Sequence, residues 1–207
     1  MKLRLLFTIL FLSAISVFSQ TKYEAGYIIR ANGQKVECLI KNEDWKGSPT
    51  TFEYKVGENG EIKIGNTSNI KEFGSGENFK YIVETLAVEQ SSDKVGNLTE
   101  DRNPDFKEET LFLKVLVEGN ASLYYSMRNG ENRFFYKMND GEIEQLIYKR
   151  YLTSSKQIAE NNRYKQQLAT DFECPNSQNL NFDNLEYKKS SLIKRLQYLC
   201  KFRIYSL

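Results

Sequence analysis

The sequence predicts a mainly β fold of the α+β class: an antiparallel, meander-rich sheet, either a sandwich or an open barrel, with two C-terminal helices packed on it. The strongest sign is the stretch from Glu109 to Tyr148, where four apolar runs rich in Val, Leu, Phe and Tyr alternate with Gly-Asn, Asn-Gly and Asp-Gly. Such runs suit strands, and these dipeptides supply the positive φ angles of tight hairpin turns. After Leu152 the apolar spacing lengthens to three or four residues, which indicates helices.

The chain begins with features typical of a signal peptide. Lys2 and Arg4 are followed by an apolar run from Leu5 to Phe18 and by the small residue Ser19. A membrane-spanning helix needs about 20 apolar residues, and this run is shorter. We therefore expect an exported protein, periplasmic or associated with the outer membrane, that begins at Gln20 after cleavage and is then not an integral membrane protein.

Three segments follow from these patterns: a signal peptide over residues 1–19, an antiparallel β domain over 20–152 and a helical C-terminal segment over 153–207 packed on the β domain. The whole chain has 29 Lys and Arg against 27 Asp and Glu, and removal of Lys2 and Arg4 leaves no net charge. Nucleic acid is therefore not an expected partner, because phosphate binding needs a basic excess. Residues 149–207 carry a net charge of +6 and residues 20–148 a net charge of −6. We expect the tail to dock on the sheet, with a membrane surface or an acidic partner as the alternative.

The first half of the predicted sheet begins with a hairpin over residues 23–42. A turn at Asn32-Gly33 would set Ile29 opposite Val36, on the face that also carries Cys38. Further strands are expected at residues 50–56, 61–64 and 79–88.

In the meander, the alternation of apolar and polar residues predicts how the strands align. The Asn-Gly turn pairs Tyr125 with Phe134, and the Asp-Gly turn pairs Phe135 with Leu146. For the first connection we expect a three-residue Glu118-Gly119-Asn120 loop with a bulged turn, because a two-residue loop would put the apolar face out of phase.

Between Glu89 and Glu108 lie twenty residues that are almost all polar. Connections of this length are usually functional or disordered, so this loop is expected to be flexible or to bind a partner. Arg102 and Asp105 are its candidate partner-binding residues.

The C-terminal segment predicts two helices, at residues 156–172 and 188–201, each with a stripe of apolar residues along one side. These stripes need an apolar surface to cover. We expect them to cover the sheet face that carries Phe112, Leu116, Tyr124, Phe135 and Leu146. The alternative is that Tyr124 and Phe135 stay exposed and stack on a sugar or another partner.

The sequence gives little support for a catalytic site or a cofactor-binding site. The chain has no His, which removes the usual nucleophile activation, general acid–base and metal-ligating roles of that residue. No phosphate-binding or metal-loop motif is present, and we expect no catalytic residue, no metal ligand and no cofactor. Glu142 and Glu144 are expected to be solvated strand residues.

The three cysteines allow one disulfide and one free thiol, and export would place them where disulfides persist. Cys38 lies in the first hairpin, where a small apolar side chain packs well. Cys174 follows the first predicted helix and Cys200 ends the second. We therefore expect a Cys174–Cys200 disulfide and a buried free thiol at Cys38.

Several stretches resemble a family of uncharacterised exported proteins of Gram-negative bacteria. The matching stretches are Phe18-Ser19-Gln20, Gly26-Tyr27-Ile28, Glu37-Cys38-Leu39-Ile40-Lys41-Asn42, Phe112-Leu113-Lys114-Val115-Leu116-Val117-Glu118-Gly119 and Tyr164-Lys165-Gln166-Gln167-Leu168. In some members this region precedes an outer-membrane β-barrel. This sequence ends at Leu207 without such a region, which would fit either a stand-alone form or a truncated reading frame. The resemblance implies an association with an outer-membrane protein.

Two functions from different classes fit these observations. The first is a noncatalytic interaction or accessory module of the cell envelope, which would bind a protein or a glycan through the long loop or the aromatic sheet face. The alternative is a carboxylate-dependent hydrolase that acts on envelope polymers. We favour the first, because no catalytic constellation can be assembled from the sequence.

Overall fold

The computed structural model describes residues 23–43, 45, 47–171, 182–199 and 203–205. The predicted signal peptide and the predicted disulfide partners Cys174 and Cys200 lie outside these residues. Within them the fold is mainly β, as predicted, with one large antiparallel sheet, a two-stranded sheet and two helices near the C-terminal end. None of the helices in this part of the chain has the length and apolar character needed to cross a membrane.

The strands and helices are numbered here in chain order. The strands are β1 (Tyr23–Arg30), β2 (Lys35–Lys41), β3 (Thr51–Lys55), β4 (Ile62–Asn66), β5 (Ile70–Ser75), β6 (Phe79–Glu89), β7 (Phe106–Glu118), β8 (Ala121–Arg128), β9 (Glu131–Met138), β10 (Glu144–Gln145), β11 (Lys149–Leu152), β12 (Ile158–Asn161) and β13 (Arg203–Ile204). The helices are α1 (Arg163–Asp171) and α2 (Lys189–Leu199).

The large sheet has the order β10-β9-β8-β7-β6-β5-β1-β2-β3-β4, and β13 pairs with β7 outside this order. The predicted meander corresponds to β7–β10, four consecutive neighbours. β11 and β12 form the small sheet. The long strands β6 and β7 pair over nine residues and join the two halves of the large sheet.

The large sheet curls strongly. Phe52 on β3 and Phe112 on β7 are five strands apart, which would be about 24 Å on a flat sheet. Their ring centroids are nevertheless 5.9 Å apart. At the other end, β6 and β10 are four strands apart, yet the backbone N–H of Glu89 donates to Gln145 Oε1 at 2.9 Å. The half of the sheet formed by β1–β6 and the half formed by β7–β10 therefore each curl around an apolar cluster of their own.

The two helices pack on one face of β7–β10, here called the helix face. Its core residues on β8 and β9 are Leu123, Tyr125, Phe134 and Tyr136, and they meet Tyr164, Leu168, Leu192, Ile193 and Leu196 of the helices. The expectation that the helices cover Tyr124 and Phe135 is wrong, because both lie on the opposite face. Leu116 and Leu146 do contact the helices, as predicted, whereas Phe112 belongs to the core of the first half.

Aromatic contacts dock the tail on the sheet. The ring of Tyr187 stacks on Tyr148 at 4.8 Å and meets the edges of Phe134 and Tyr164 at 5.0 and 5.1 Å. Its hydroxyl accepts from the N–H of Phe134 and donates to the carbonyl of Leu146. Docking was predicted from opposite charges and from the apolar stripes of the helices, and the contact consists of those apolar residues, buried rings and this inserted hydroxyl.

The turn at Asn129-Gly130 follows the prediction. Both residues have positive φ, 55° and 83°, and Tyr125 pairs with Phe134. The first hairpin differs by one residue, since Ile28, not Ile29, pairs with Val36. Of its Asn-Gly dipeptide only the glycine has a positive φ, so the loop has three residues and the buried face changes.

The connection between β7 and β8 also differs from the prediction. Val115 pairs with Tyr124 and Val117 with Leu123, so the extra residue is Leu116, inside the strand and not at the turn. Because of this bulge, Leu116 points toward the helices, and the apolar residues on either side of the bulge all face a core.

The connection between β9 and β10 is shifted as well. Gln145, not Leu146, pairs with Phe135, and the positive φ lies at Asn139. The N–H of Asn139 donates to the carbonyl of Asn120 at 2.5 Å, which ties this turn to the preceding one. The shifted register here thus coincides with a contact between two loops.

The first predicted helix starts too early. Residues 156–161 belong to the β11–β12 hairpin, and α1 begins only at Arg163. The second predicted helix agrees with α2. Strand β5 was not predicted, because its Gly74 and its polar residues give it little apolar alternation.

Both outer strands of the large sheet are capped by a side-chain amide. On β4, Asn69 Nδ2 donates to the carbonyl of Ile64 at 3.1 Å, and Asn69 Oδ1 accepts from the N–H of Asn66 at 2.9 Å. On β10, Gln167 Nε2 donates to the carbonyl of Gln145 at 3.0 Å. Its Oε1 accepts from the N–H of Ile147 at 2.8 Å. Each amide occupies the position of a neighbouring strand.

Candidate functional site

A cleft of about 720 Å³ lies between β6, the segment around β10, and α1. Residues 84–87 of β6 form one wall and residues 141–145 form the other, while α1 contributes Arg163 and Gln167. The remaining lining residues are Phe106, Lys137 and Ile147.

The curl of the sheet produces this cleft. β6 and β10 meet at one end, where Gln145 Oε1 accepts from the Glu89 N–H. Away from this contact the two strands separate, and α1 borders the opening through Gln167. The side chain of Gln167 is hydrogen-bonded to the backbone of Gln145 and Ile147. These bonds fix the position of α1 relative to β10 at the cleft wall.

Gln145 carries an unsatisfied hydrogen-bond donor beside the cleft. Its side chain is 5% exposed, and its Oε1 is engaged by Glu89, so the amide orientation is set. Its Nε2 is buried and has no acceptor in the described part of the chain. An unpaired buried donor costs about 1–3 kcal/mol, so a water molecule or a ligand acceptor bound here would be stabilised.

Charged groups of both signs surround the opening. Glu84, Glu142 and Glu144 supply three carboxylates, and Lys137 and Arg163 supply two cations. Glu142, Glu144 and Arg163 are exposed to solvent, whereas Glu84 and Lys137 are half-buried. This mixture suits a ligand that presents several hydroxyl, amide or charged groups.

Phe106 adds an exposed aromatic ring to the wall. It is 45% exposed, although it lies at the start of a long strand whose later residues are buried. Exposed aromatic side chains combine a large apolar surface with rigidity, which makes them frequent anchors of binding sites.

A buried ion-pair cluster holds the long loop behind the cleft. Arg133 is 2% exposed, and its Nη2 donates to the Glu89 carboxylate at 2.9 Å and to the carbonyl of Ser91 at 2.5 Å. Its Nη1 donates to the Asp93 carboxylate at 3.2 Å and to the carbonyl of Asn132 at 3.1 Å. Its Nε donates to the Glu89 carbonyl at 3.1 Å. All five N–H donors are satisfied, so this guanidinium has a structural role.

The environment of Asp93 reflects two opposing effects. Burial raises the pKa of Asp93, and the positive charge of Arg133 opposes that rise. Asp93 also binds the next segment, because its carbonyl accepts from Arg150 Nη1 at 2.9 Å. The loop, which was expected to be flexible or to bind a partner, is thus tied to the sheet at several points, which its polar sequence did not indicate.

The structure separates the predicted partner-binding residues. Tyr124 is 7% exposed and Phe135 is fully buried, so the stacking alternative for these two rings is wrong and they are core residues. Arg102 and Asp105 are exposed on the long loop. Arg102 offers its carbonyl to Asn161 Nδ2 at 3.0 Å and does not line the cleft. Asp105 directly precedes Phe106 at the cleft wall.

Cys38 is buried, 6% exposed, with a free thiol, as predicted. Burial raises the pKa of this thiol to about 11, so it is protonated at neutral pH. The proposed Cys174–Cys200 disulfide stays a prediction. Among the described residues, no group of three or more Cys, Asp or Glu side chains is arranged to hold a metal ion.

Sequence reasoning missed most of the cleft residues. Glu142 and Glu144 were considered, but Gln145, Arg163 and Gln167 carry no motif and come together only through the curl of the sheet. One signal was present: Phe106 stands alone in a polar stretch, where nothing in the local sequence could bury it.

Comparison of the chain with protein-family models, with curated proteins and with solved structures gives no match. The resemblance to a family of exported proteins therefore stays a prediction.

Proposed function

We propose that the protein is a noncatalytic interaction module of the cell envelope, exported by its N-terminal signal, and that the cleft between β6 and β10 is its binding site. The observation that carries the proposal is Gln145, a residue of the cleft lining whose buried side-chain Nε2 has no acceptor among the residues that the structure describes. A bound protein or glycan would supply this acceptor through a carbonyl or hydroxyl oxygen.

Two further features support binding. Phe106 offers a rigid ring for stacking or burial, and the amide of Gln167 fixes the opposite wall before any ligand arrives. A preorganised site loses less conformational entropy when it binds. The resemblance adds that the partner belongs to the envelope and is associated with an outer-membrane protein.

A carboxylate-dependent hydrolase is the second candidate, because Glu84, Glu142 and Glu144 line one cleft. Glycosidases use a pair of carboxyl groups, one of which acts as an acid in an apolar environment. Glu142 and Glu144 are exposed to solvent, which favours the binding module over the enzyme.

Site-specific crosslinking tests the binding proposal. Phe106 is replaced by p-benzoylphenylalanine in the exported chain, and Ile158 receives the same replacement as a control. Both side chains are 45% exposed, and Ile158 does not line the cleft. We expect an envelope component, identified by mass spectrometry, to crosslink from position 106 and not from 158. The product should weaken when Gln145→Leu is added, and equal products from both positions would contradict the proposal.

The enzyme alternative is tested separately with purified mature protein and envelope glycan. Release of soluble fragments that disappears in Glu84→Gln, Glu142→Gln or Glu144→Gln would favour the hydrolase. No release, together with crosslinking from position 106, would favour the binding module.

A further inference from the structure

A second cluster of polar groups lies away from the cleft, on the helix face. Lys114 on β7 is directly opposite Tyr81 on β6 and Tyr125 on β8, so the three side chains share one face. Lys189, the first residue of α2, places its Nζ 4.1 Å from the centre of the Tyr125 ring. The cluster therefore joins three strands and a helix.

Among the described residues, its two lysines have neither a carboxylate nor a backbone carbonyl as a partner, whereas the buried Lys149 donates to the carbonyl of Asn103 at 2.6 Å. Lys80 lies 2.6 Å from Glu118 and 3.6 Å from Glu72, and Arg133 is paired with Glu89. In the described part of the chain, no carboxylate lies within ion-pair distance of Lys114 or Lys189.

The two ammonium groups also repel each other. Burial lowers the pKa of Lys114, and the nearby charge of Lys189 lowers it further. Burial lowers the pKa of Lys189 as well. Two like charges in a partly desolvated position are unfavourable, and a bound anion would relieve both the repulsion and the loss of hydration.

Tyr81 supplies a third donor. The residue is 2% exposed, and its ring is fixed by stacking on Phe73 at 4.8 Å and by an edge contact with Trp45 at 5.7 Å. Burial and the neighbouring Tyr125 raise the pKa of Tyr81, so it keeps its proton. Its hydroxyl has no hydrogen-bond partner among the described residues, whereas the Tyr125 hydroxyl donates to Asn132 Oδ1 at 2.8 Å.

We propose that Tyr81, Lys114, Tyr125 and Lys189 form a binding site for an oxyanion, the phosphate or carboxylate group of a small ligand. Two ammonium groups and one phenol donor that have no acidic partner in the described ranges suit such a group, because hydrogen bonds to an ionised acceptor are the strongest that a protein forms. Tyr125 provides the ring that holds Lys189 in place. The site shares no residue with the cleft.

Calorimetric titration of the mature protein at constant ionic strength tests the site, with inorganic phosphate and succinate as separate probes and chloride as the control anion. We expect one or both probes to bind, and Lys114→Met or Lys189→Met to weaken binding about tenfold to a hundredfold, the usual effect of losing a hydrogen bond to a charged group. Tyr81→Phe should weaken it less. Lys35→Met is the matched control, because Lys35 also lies over a tyrosine ring, at 4.6 Å, but has a carboxylate partner in Glu37.

Nitrogen-15 NMR of the lysine ammonium groups gives a second readout that does not depend on the stability of a variant. The Nζ resonances of Lys114 and Lys189 should shift when the bound probe is added to the wild-type chain, and that of Lys35 should not. A response to phosphate alone assigns the site to phosphate ligands, and a response to succinate alone assigns it to carboxylates. Absence of heat and of shifts at about 10 mM of either probe, or equal weakening by Lys35→Met, would overturn the proposal.

Discussion

Replacement of Arg133 by Met should remove a large part of the stability of the fold. The guanidinium is 2% exposed and makes five hydrogen bonds, and its main partner, the Glu89 carboxylate, is fully buried. Removal of one member of a buried ion pair leaves the other charge without compensation and costs about 3–5 kcal/mol. Since a domain of this kind is stable by about 5–15 kcal/mol, Arg133→Met should lower the free energy of unfolding by about a fifth or more.

Urea unfolding measures this effect, with the fluorescence of Trp45, the only tryptophan, as the probe. Glu100→Gln is the control, because it removes an ion pair with Lys156 whose side chains are 58% and 70% exposed. Such exposed pairs contribute about 1 kcal/mol or less. The double variant Arg133→Met, Glu89→Gln also removes the uncompensated charge of the Glu89 carboxylate, and should recover part of the lost free energy of unfolding. A loss below about 1 kcal/mol, or no recovery in the double variant, would refute the reasoning.

Three other substitutions follow from single contacts. Because burial raises the pKa of Cys38 from 9.0 to about 11, its contribution to stability is complete below pH 9 and is lost as the pH rises towards 11. Between about pH 8 and pH 11 the wild type should therefore lose about 2–3 kcal/mol more than Cys38→Ala in urea unfolding, and parallel losses would contradict this. Gly65→Ala would place a Cβ 2.4 Å from the buried ring of Phe52 and should cost about 1–3 kcal/mol, whereas Gly96→Ala, with open space around it, should change stability by under about 0.5 kcal/mol. Tyr187→Phe removes the hydroxyl that links β9 to the segment after β10, and should cost about 1–3 kcal/mol and accelerate amide exchange across α2; unchanged exchange would argue against this anchor.

Local patterns predicted the elements well where one interaction dominates. The Asn129-Gly130 turn, with two residues in the left-handed region, permits only one register, and its strands pair as predicted. The dipeptide at Asn32-Gly33 is also Asn-Gly, but it lies in a longer loop, because an Asn-Gly pair fits both two-residue and three-residue hairpins. A slip of one residue then exchanged Ile29 for Ile28 in the core.

The candidate sites depend on contacts that no local pattern encodes. Gln145 and Glu89 are 56 residues apart and meet because the sheet curls. Tyr124 and Phe135 lie opposite each other in the register that the Asn129-Gly130 turn predicts, but the helices pack on the other face of these strands, and no local pattern shows which face a helix will cover. Arg133 gave one hint, since a charged residue beside two phenylalanines in a strand must find a buried partner.

The amide caps on β4 and β10 make the sheet edges depend on a group that both donates and accepts. Hydrolysis of the Asn69 amide to a carboxylate would remove the donor to the Ile64 carbonyl and place two oxygens in repulsion. The uncapped strand would then present Ile62 and Ile64, which are 61% and 50% exposed, to any other extended chain. Chemical ageing at this one side chain would thus convert a protected edge into a starting point for aggregation.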